Sequence, residues 1–225
     1  TDAVRVLEDL VEVEGDLDAK VDYLTSAAQL ALDQLDDALR AVDLLNKLLD
    51  LDPSRVDAFA RIDKMLTQSK DWKAQELNYR RMLERVTGKE GSEEIEFRLY
   101  TGLGEIYRSR LGDMQYAADA FELACKIRGD HVPTLEILAD LYPRLGDKER
   151  AMRVLRDLAR LEPGHLEGLS DLFVLSQELG DAEMSRIASQ ILMVLNRGTT
   201  ETRAYYENTT RPMMVQAGAQ LDLVS

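Results

Sequence analysis

Apolar residues recur in steps of three and four along most of this chain. Leu135, Leu138, Ala139 and Tyr142 form one such run, and Tyr100, Leu103, Gly104 and Tyr107 form another. Leu169, Leu172 and Phe173 repeat the pattern later, and Phe59, Ile62 and Leu66 carry it earlier. That spacing places each set on one face of a helix and predicts an apolar stripe. A second kind of run pairs a small residue with a larger one four positions on: Ala41 with Leu45, Ala117 with Phe121, Ala151 with Leu155. The small residue lets two helices approach closely and the larger one fills the space beside it. Gln75 with Tyr79 and Ser185 with Ser189 occupy the same slots as weaker matches.

The two kinds of run alternate, and a turn signal marks the change. Leu-Gly-Asp occurs at Leu111-Gly112-Asp113, Leu145-Gly146-Asp147 and Leu179-Gly180-Asp181, with both spacings 34 residues. Gly supplies a left-handed end to the first helix, and Asp caps the start of the second by accepting from its unpaired backbone N–H groups. Asp37 and Asp71, also 34 apart, hold the same slot. A fixed period of this length predicts stacked helical hairpins.

These residues resemble the tetratricopeptide repeat (TPR) family. Residues 132–165 match its pattern nearly throughout, at Leu135, Leu138-Ala139, Tyr142, Gly146-Asp147, Ala151, Leu155 and Pro163, and Pro53 closes an earlier repeat as Pro163 does. The resemblance implies an all-α fold, a right-handed α-solenoid of antiparallel helix hairpins in a TPR-like superhelix. The repeat frame is 22–55, 56–89, 97–131, 132–165 and 166–199, in a single array over 1–209. A half repeat over 1–15 precedes it, with Ala3, Leu7 and Leu10 in second-helix slots, as expected of a piece of a longer protein. A capping helix is expected over 199–209, with Tyr205 and Tyr206 covering the last repeat, followed by a C-terminal tail over 210–225 that holds Met213, Met214, Val215, Leu221, Leu223 and Val224.

One step breaks the period. From Gln75 to Ala117 is 42 residues rather than 34. Most of the surplus is assigned to a longer loop at Gly88–Ser92, which carries breaker residues, and one residue to the following hairpin turn. It reads as a local insertion within the array.

Charge narrows the partners. The net charge of −14 disfavours phosphate backbones and anionic membrane surfaces. Cys125 is the only cysteine, so no internal disulfide forms, and a reducing compartment fits. The phrasing of residues 102–122 is similar to bacterial proteins with long TPR arrays, which implies a bacterial, cytoplasmic parent.

Catalytic chemistry finds no residues to carry it. There is no Gly-x-Ser-x-Gly elbow, Walker-type loop or Cys-x-x-Cys pair. Gly102-Leu103-Gly104 starts like a dinucleotide fingerprint, but Tyr107 stands where the third glycine belongs, and Gly104 fits a packing slot. His131 and His165 are 34 apart at equivalent turns, which suits surface turn residues better than metal ligands. Cys125 follows Ala124 on a packing helix and reads as a small buried hydrophobe; Trp72, next to Asp71, reads as hairpin packing. No catalytic residue, cofactor or metal site is therefore expected, and the chain reads as a non-enzyme.

The resemblance implies that the first helix of each hairpin lines a concave groove for a peptide or helix of a partner protein. The positions on that surface include Arg61, Lys64, Arg98, Arg108 and Arg144, among Asp57, Glu105, Glu136, Asp140, Glu167 and Asp171. Basic charges gather on the second and third repeats, which suits an acidic segment bound there, because Arg forks match carboxylates. The family's carboxylate clamp needs Asn at slots that here hold Leu30, Lys64, Glu105, Asp140 and Val174, so chaperone-tail binding is not implied. The expected function is a protein-interaction scaffold. The alternatives are an arm of a larger enzyme whose catalytic domain lies elsewhere, and a module that self-associates through its ends or tail.

Overall fold

The computed structural model describes residues 2–209, all of whose regular elements are helical. They fall into two compact units that divide after Ile127. The first holds α1 (Asp2–Val13), α2 (Leu17–Leu35), α3 (Ala38–Leu51), α4 (Val56–Ser69), α5 (Trp72–Val86), α6 (Glu93–Ile106) and α7 (Met114–Ile127), with a π-turn over Tyr107–Leu111 continuing α6. The second holds α8 (Val132–Arg144), α9 (Lys148–Leu161), α10 (Leu166–Glu178) and α11 (Ala182–Val194). A last helix, α12, runs over 200–209. Within each unit successive helices pack on one another, and the fold is an all-α solenoid of helical hairpins. The expected tail over 210–225 lies outside the described residues.

The turns form as the Leu-Gly-Asp signal requires. Gly112, Gly146 and Gly180 have φ of 71°, 76° and 70°, in the left-handed region. Asp147 and Asp181 each accept at 3.0 Å from the backbone N–H three residues on, and Asp113 accepts from Tyr116 at 3.1 Å. Asp37 and Asp71 cap α3 and α5 in the same way at 2.9 and 3.0 Å. There the left-handed position falls to Asp36 and Lys70, with φ of 50° and 56°.

The small-and-large slots lie in the core. Ala41, Ala117 and Ala151 are fully buried, beside buried Leu45, Phe121 and Leu155. Ser185 and Ser189 are buried too, and their hydroxyls are satisfied locally: Ser185 pairs with Ser176 at 2.8 Å and Ser189 donates to the Arg186 carbonyl at 2.8 Å. Gln75 is buried with its amide donating to Asp63 at 2.6 Å and Thr67 at 3.0 Å, so a polar group fills a slot made for Ala without an orphaned donor. In the second unit, Tyr205 of α12 stands edge-on to Phe173, with centroids 5.6 Å apart.

The break in the period is mostly helical. Compared with the neighbouring hairpins, α5 is one residue longer, the loop after it two longer, and α6 begins four residues sooner before its Leu-Gly pair. The last extra residue lies between Leu103 and Gly112, where it is absorbed as the π-turn rather than in the hairpin loop. A single inserted residue is the ordinary origin of such a turn, because the helix widens locally instead of losing register throughout. The loop itself is held by Ser92, whose hydroxyl lies 2.6 Å from both the Lys89 carbonyl and Glu96 Oε1.

Candidate partner-binding surfaces

In the first unit, two of the predicted groove residues stand together. Arg61 and Lys64 are three residues apart on α4 and so share a face. Lys64 is exposed. Arg61 donates to the Gln29 side-chain carbonyl on α2 at 2.6 Å, a neutral partner that leaves the guanidinium charge uncompensated at that contact. Arg98 and Arg108 sit ten residues apart, on α6 and its π-turn, and each is engaged by an acid of its own helix. Arg98 meets Glu94 at 2.9 Å, and Arg108 Nη2 lies 3.0 Å from both oxygens of Glu105. Such half-exposed pairs are worth little individually, about 0.2–1 kcal/mol, so a competing carboxylate can displace them.

In the second unit, Arg144 pairs with Asp140 on α8 at 2.6 Å. The surface shared by α8 and α10 is acidic. Burial raises the Asp171 carboxyl above its ordinary range, and Glu167 and Asp140 add to the shift by repulsion. His165 lies at the N-cap of α10, where Nδ1 accepts from the Gly168 N–H at 3.0 Å and Nε2 lies 2.8 Å from Glu136. Its role is to fix the start of α10.

A second surface of the first unit was not anticipated. A groove of about 1010 Å³ lies between α5 and α7, with Tyr100, Leu103 and Tyr107 along α6 and its π-turn also lining it. The π-turn is tied to both sides. Tyr107 donates to Glu76 on α5 at 2.6 Å, and its ring lies 5.3 Å from that of Tyr116 on α7. Arg110 stacks 4.7 Å over the Trp72 ring, so Trp72 does more than pack its own hairpin. The signal for this region was the step of 42 residues; the geometry was hidden because spacing cannot say whether surplus residues extend a helix, a loop or a turn.

Other candidate chemistry stays dispersed. Among the described residues no group of three or more His, Cys, Asp and Glu side chains is placed to hold a metal ion. Cys125 is half-buried rather than sealed in the core. Among the described residues no helix is long and apolar enough to cross a membrane. Gly104 is a packing residue: a Cβ there would stand 2.8 Å from the Phe121 ring.

Stacked hairpins closed by a left-handed Gly and a capping Asp, with mixed-charge open faces, define a helical-repeat protein of the interaction-scaffold class. Residues 97–131 and 134–165 match sequence patterns of the tetratricopeptide repeat, so the array carries tetratricopeptide repeats there. It is similar to Protein CTR9 homolog of Arabidopsis thaliana, 31% identical over 80 residues. That match takes in 34% of this chain and 7% of the plant protein, so the chain spans only a small part of its relative. Among solved structures it is similar to YrrB, a TPR protein with an unusual peptide-binding site, at 16% identity and TM-score 0.47, covering 97% of this chain and 99% of YrrB. A tetratricopeptide repeat protein from Parabacteroides merdae is similar at 13% identity and TM-score 0.47, covering 90% and 77% of the two chains.

Proposed function

We propose that the chain binds an acidic segment of a partner protein along the first helices of its first unit, with Arg61 and Lys64 as the primary contacts. The observation that carries this reading is the Arg61–Gln29 contact. An arginine resting on a neutral amide keeps its full charge for an incoming carboxylate, and its fork geometry favours one. Lys64, one helical turn away, extends the positive surface. Arg98 and Arg108 contribute by exchanging Glu94 and Glu105 for the partner's acids. Arg144, in the second unit and already paired, is a separate and weaker contact.

The chain's overall charge of −14 makes this local basic face selective, since an acidic segment is repelled everywhere else. The matching experiment is affinity capture from native lysate with wild type beside a variant carrying Arg61, Lys64, Arg98 and Arg108 changed to Glu, both shown to be equally helical. A partner retained by wild type and lost by the variant supports the reading. Equal retention removes these side chains from the site.

A further inference from the structure

The groove between α5 and α7 shares no residue with the basic face of α4, and it has a different chemistry. Its lining follows α5 from Lys73 to Thr87. Fourteen residues of helical rise make it about 21 Å long. A volume of about 1010 Å³ over that length leaves a cross-section of roughly 50 Å². That admits one row of side chains, not a whole helix of about 10–12 Å diameter. The interior is apolar and aromatic, with Tyr100, Leu103 and Tyr107 beneath, Leu83 on one side, and Tyr116 and Leu123 on the other. Tyr116 and Leu123 lie seven residues apart on one face of α7 and are 58% and 38% exposed, so their apolar surface is open to a partner.

The two walls differ in charge. The α5 wall mixes Lys73 and Arg80 with Glu76 and Glu84, and Arg80 is drawn to Glu76 at 3.5 Å. The α7 wall carries Asp113 and Asp119 and no base. Asp119 follows the exposed Tyr116 ring by three residues, so a carboxylate and a π-face stand side by side on the helix surface. That pair suits a lysine or arginine, attracted by the carboxylate and by the ring together.

We propose that this groove docks a basic amphipathic helix of a partner protein, with its apolar face in the trough and its Lys or Arg flank against the α7 wall. A helix delivers a row of apolar side chains at three- and four-residue spacing, matched to a trough walled by two helices. The net charge of the chain favours a basic partner and speeds its approach.

The test uses the full chain and two synthetic 16-residue helical peptides, with identical leucines at three- and four-residue spacing and either Lys or Glu along one flank. Binding is read by fluorescence anisotropy at low salt. The Lys peptide is expected to bind and the Glu peptide to bind more weakly. Asp119→Lys should weaken the Lys peptide about five-fold and strengthen the Glu peptide. Leu123→Asp should weaken both. The Arg61→Glu, Lys64→Glu double variant should keep the Lys peptide bound, and it removes the separate attraction of the α4 face for the Glu peptide. Equal affinity for the two peptides in that double variant, or indifference to Asp119→Lys, overturns the charge assignment. Indifference to Leu123→Asp, or loss of Lys-peptide binding in the α4 double variant, overturns the location, and no binding of the Lys peptide overturns the proposal itself.

Discussion

Tyr107 donates its phenol O–H to Glu76 Oε1 across 2.6 Å and so ties the π-turn at the end of α6 to the middle of α5. The contact spans the place where the repeat loses its period. Burial, then acceptance by Glu76 and the charge of that carboxylate, raise the phenol well above its ordinary value of 10.0. Tyr79 is raised in the same direction by burial and by Asp63.

A neutral phenol favoured by the fold binds its proton more tightly folded than unfolded. Its stabilisation is therefore complete below about pH 10 and is lost as pH rises toward the folded-state value. Urea midpoints measured from neutral pH to about pH 11 should fall on the alkaline side. Tyr107→Phe should make that fall shallower, with the remainder owed to Tyr79. An alkaline limb unchanged by Tyr107→Phe would mean that Tyr107 does not contribute to it.

Gly104 lets α6 and α7 meet. Its missing Cβ would stand 2.8 Å from Cε2 and Cζ of Phe121. Gly104→Ala gains about 1 kcal/mol of helix propensity and loses about 1–3 kcal/mol to overpacking. Net destabilisation is expected in the wild-type background. With Phe121→Leu already present, the added alanine should cost less or nothing, and a double-mutant cycle reads the coupling directly. Purely additive effects would exclude the clash.

Lys70 takes the left-handed position that Gly112, Gly146 and Gly180 take in later hairpins. A side chain there costs on the order of 1 kcal/mol, part of which glycine returns through its freer unfolded chain. Lys70→Gly should raise the denaturation midpoint by a fraction of that amount. A lower midpoint would show that Lys70 makes a contact worth more than its strain.

These positions explain what was legible in the sequence. The 34-residue period, the Asp caps and the small-and-large slots are local rules, so Asp37, Asp147, Ala41 and Phe121 could be placed without coordinates. The charge partners were not legible. Arg98 and Arg108 have acids four and three residues away on their own helices, and a list of groove residues does not show which of them these acids engage. The π-turn was legible only as one residue too many. The groove beside it depends on how α5 and α7 stand after eight surplus residues have been absorbed, four of them in α6, and no periodicity encodes that.

The central claim, that a partner's acidic segment lies on the α4 face, is tested most directly by site-specific photo-crosslinking. A photoreactive amino acid replaces Lys64 in one form of the chain and Tyr116 in another, and each is irradiated with the partner captured from lysate. The account predicts a strong crosslink from position 64 to an Asp- or Glu-rich stretch of the partner. The absence of any crosslink from position 64 to an acidic stretch of a captured partner would contradict it.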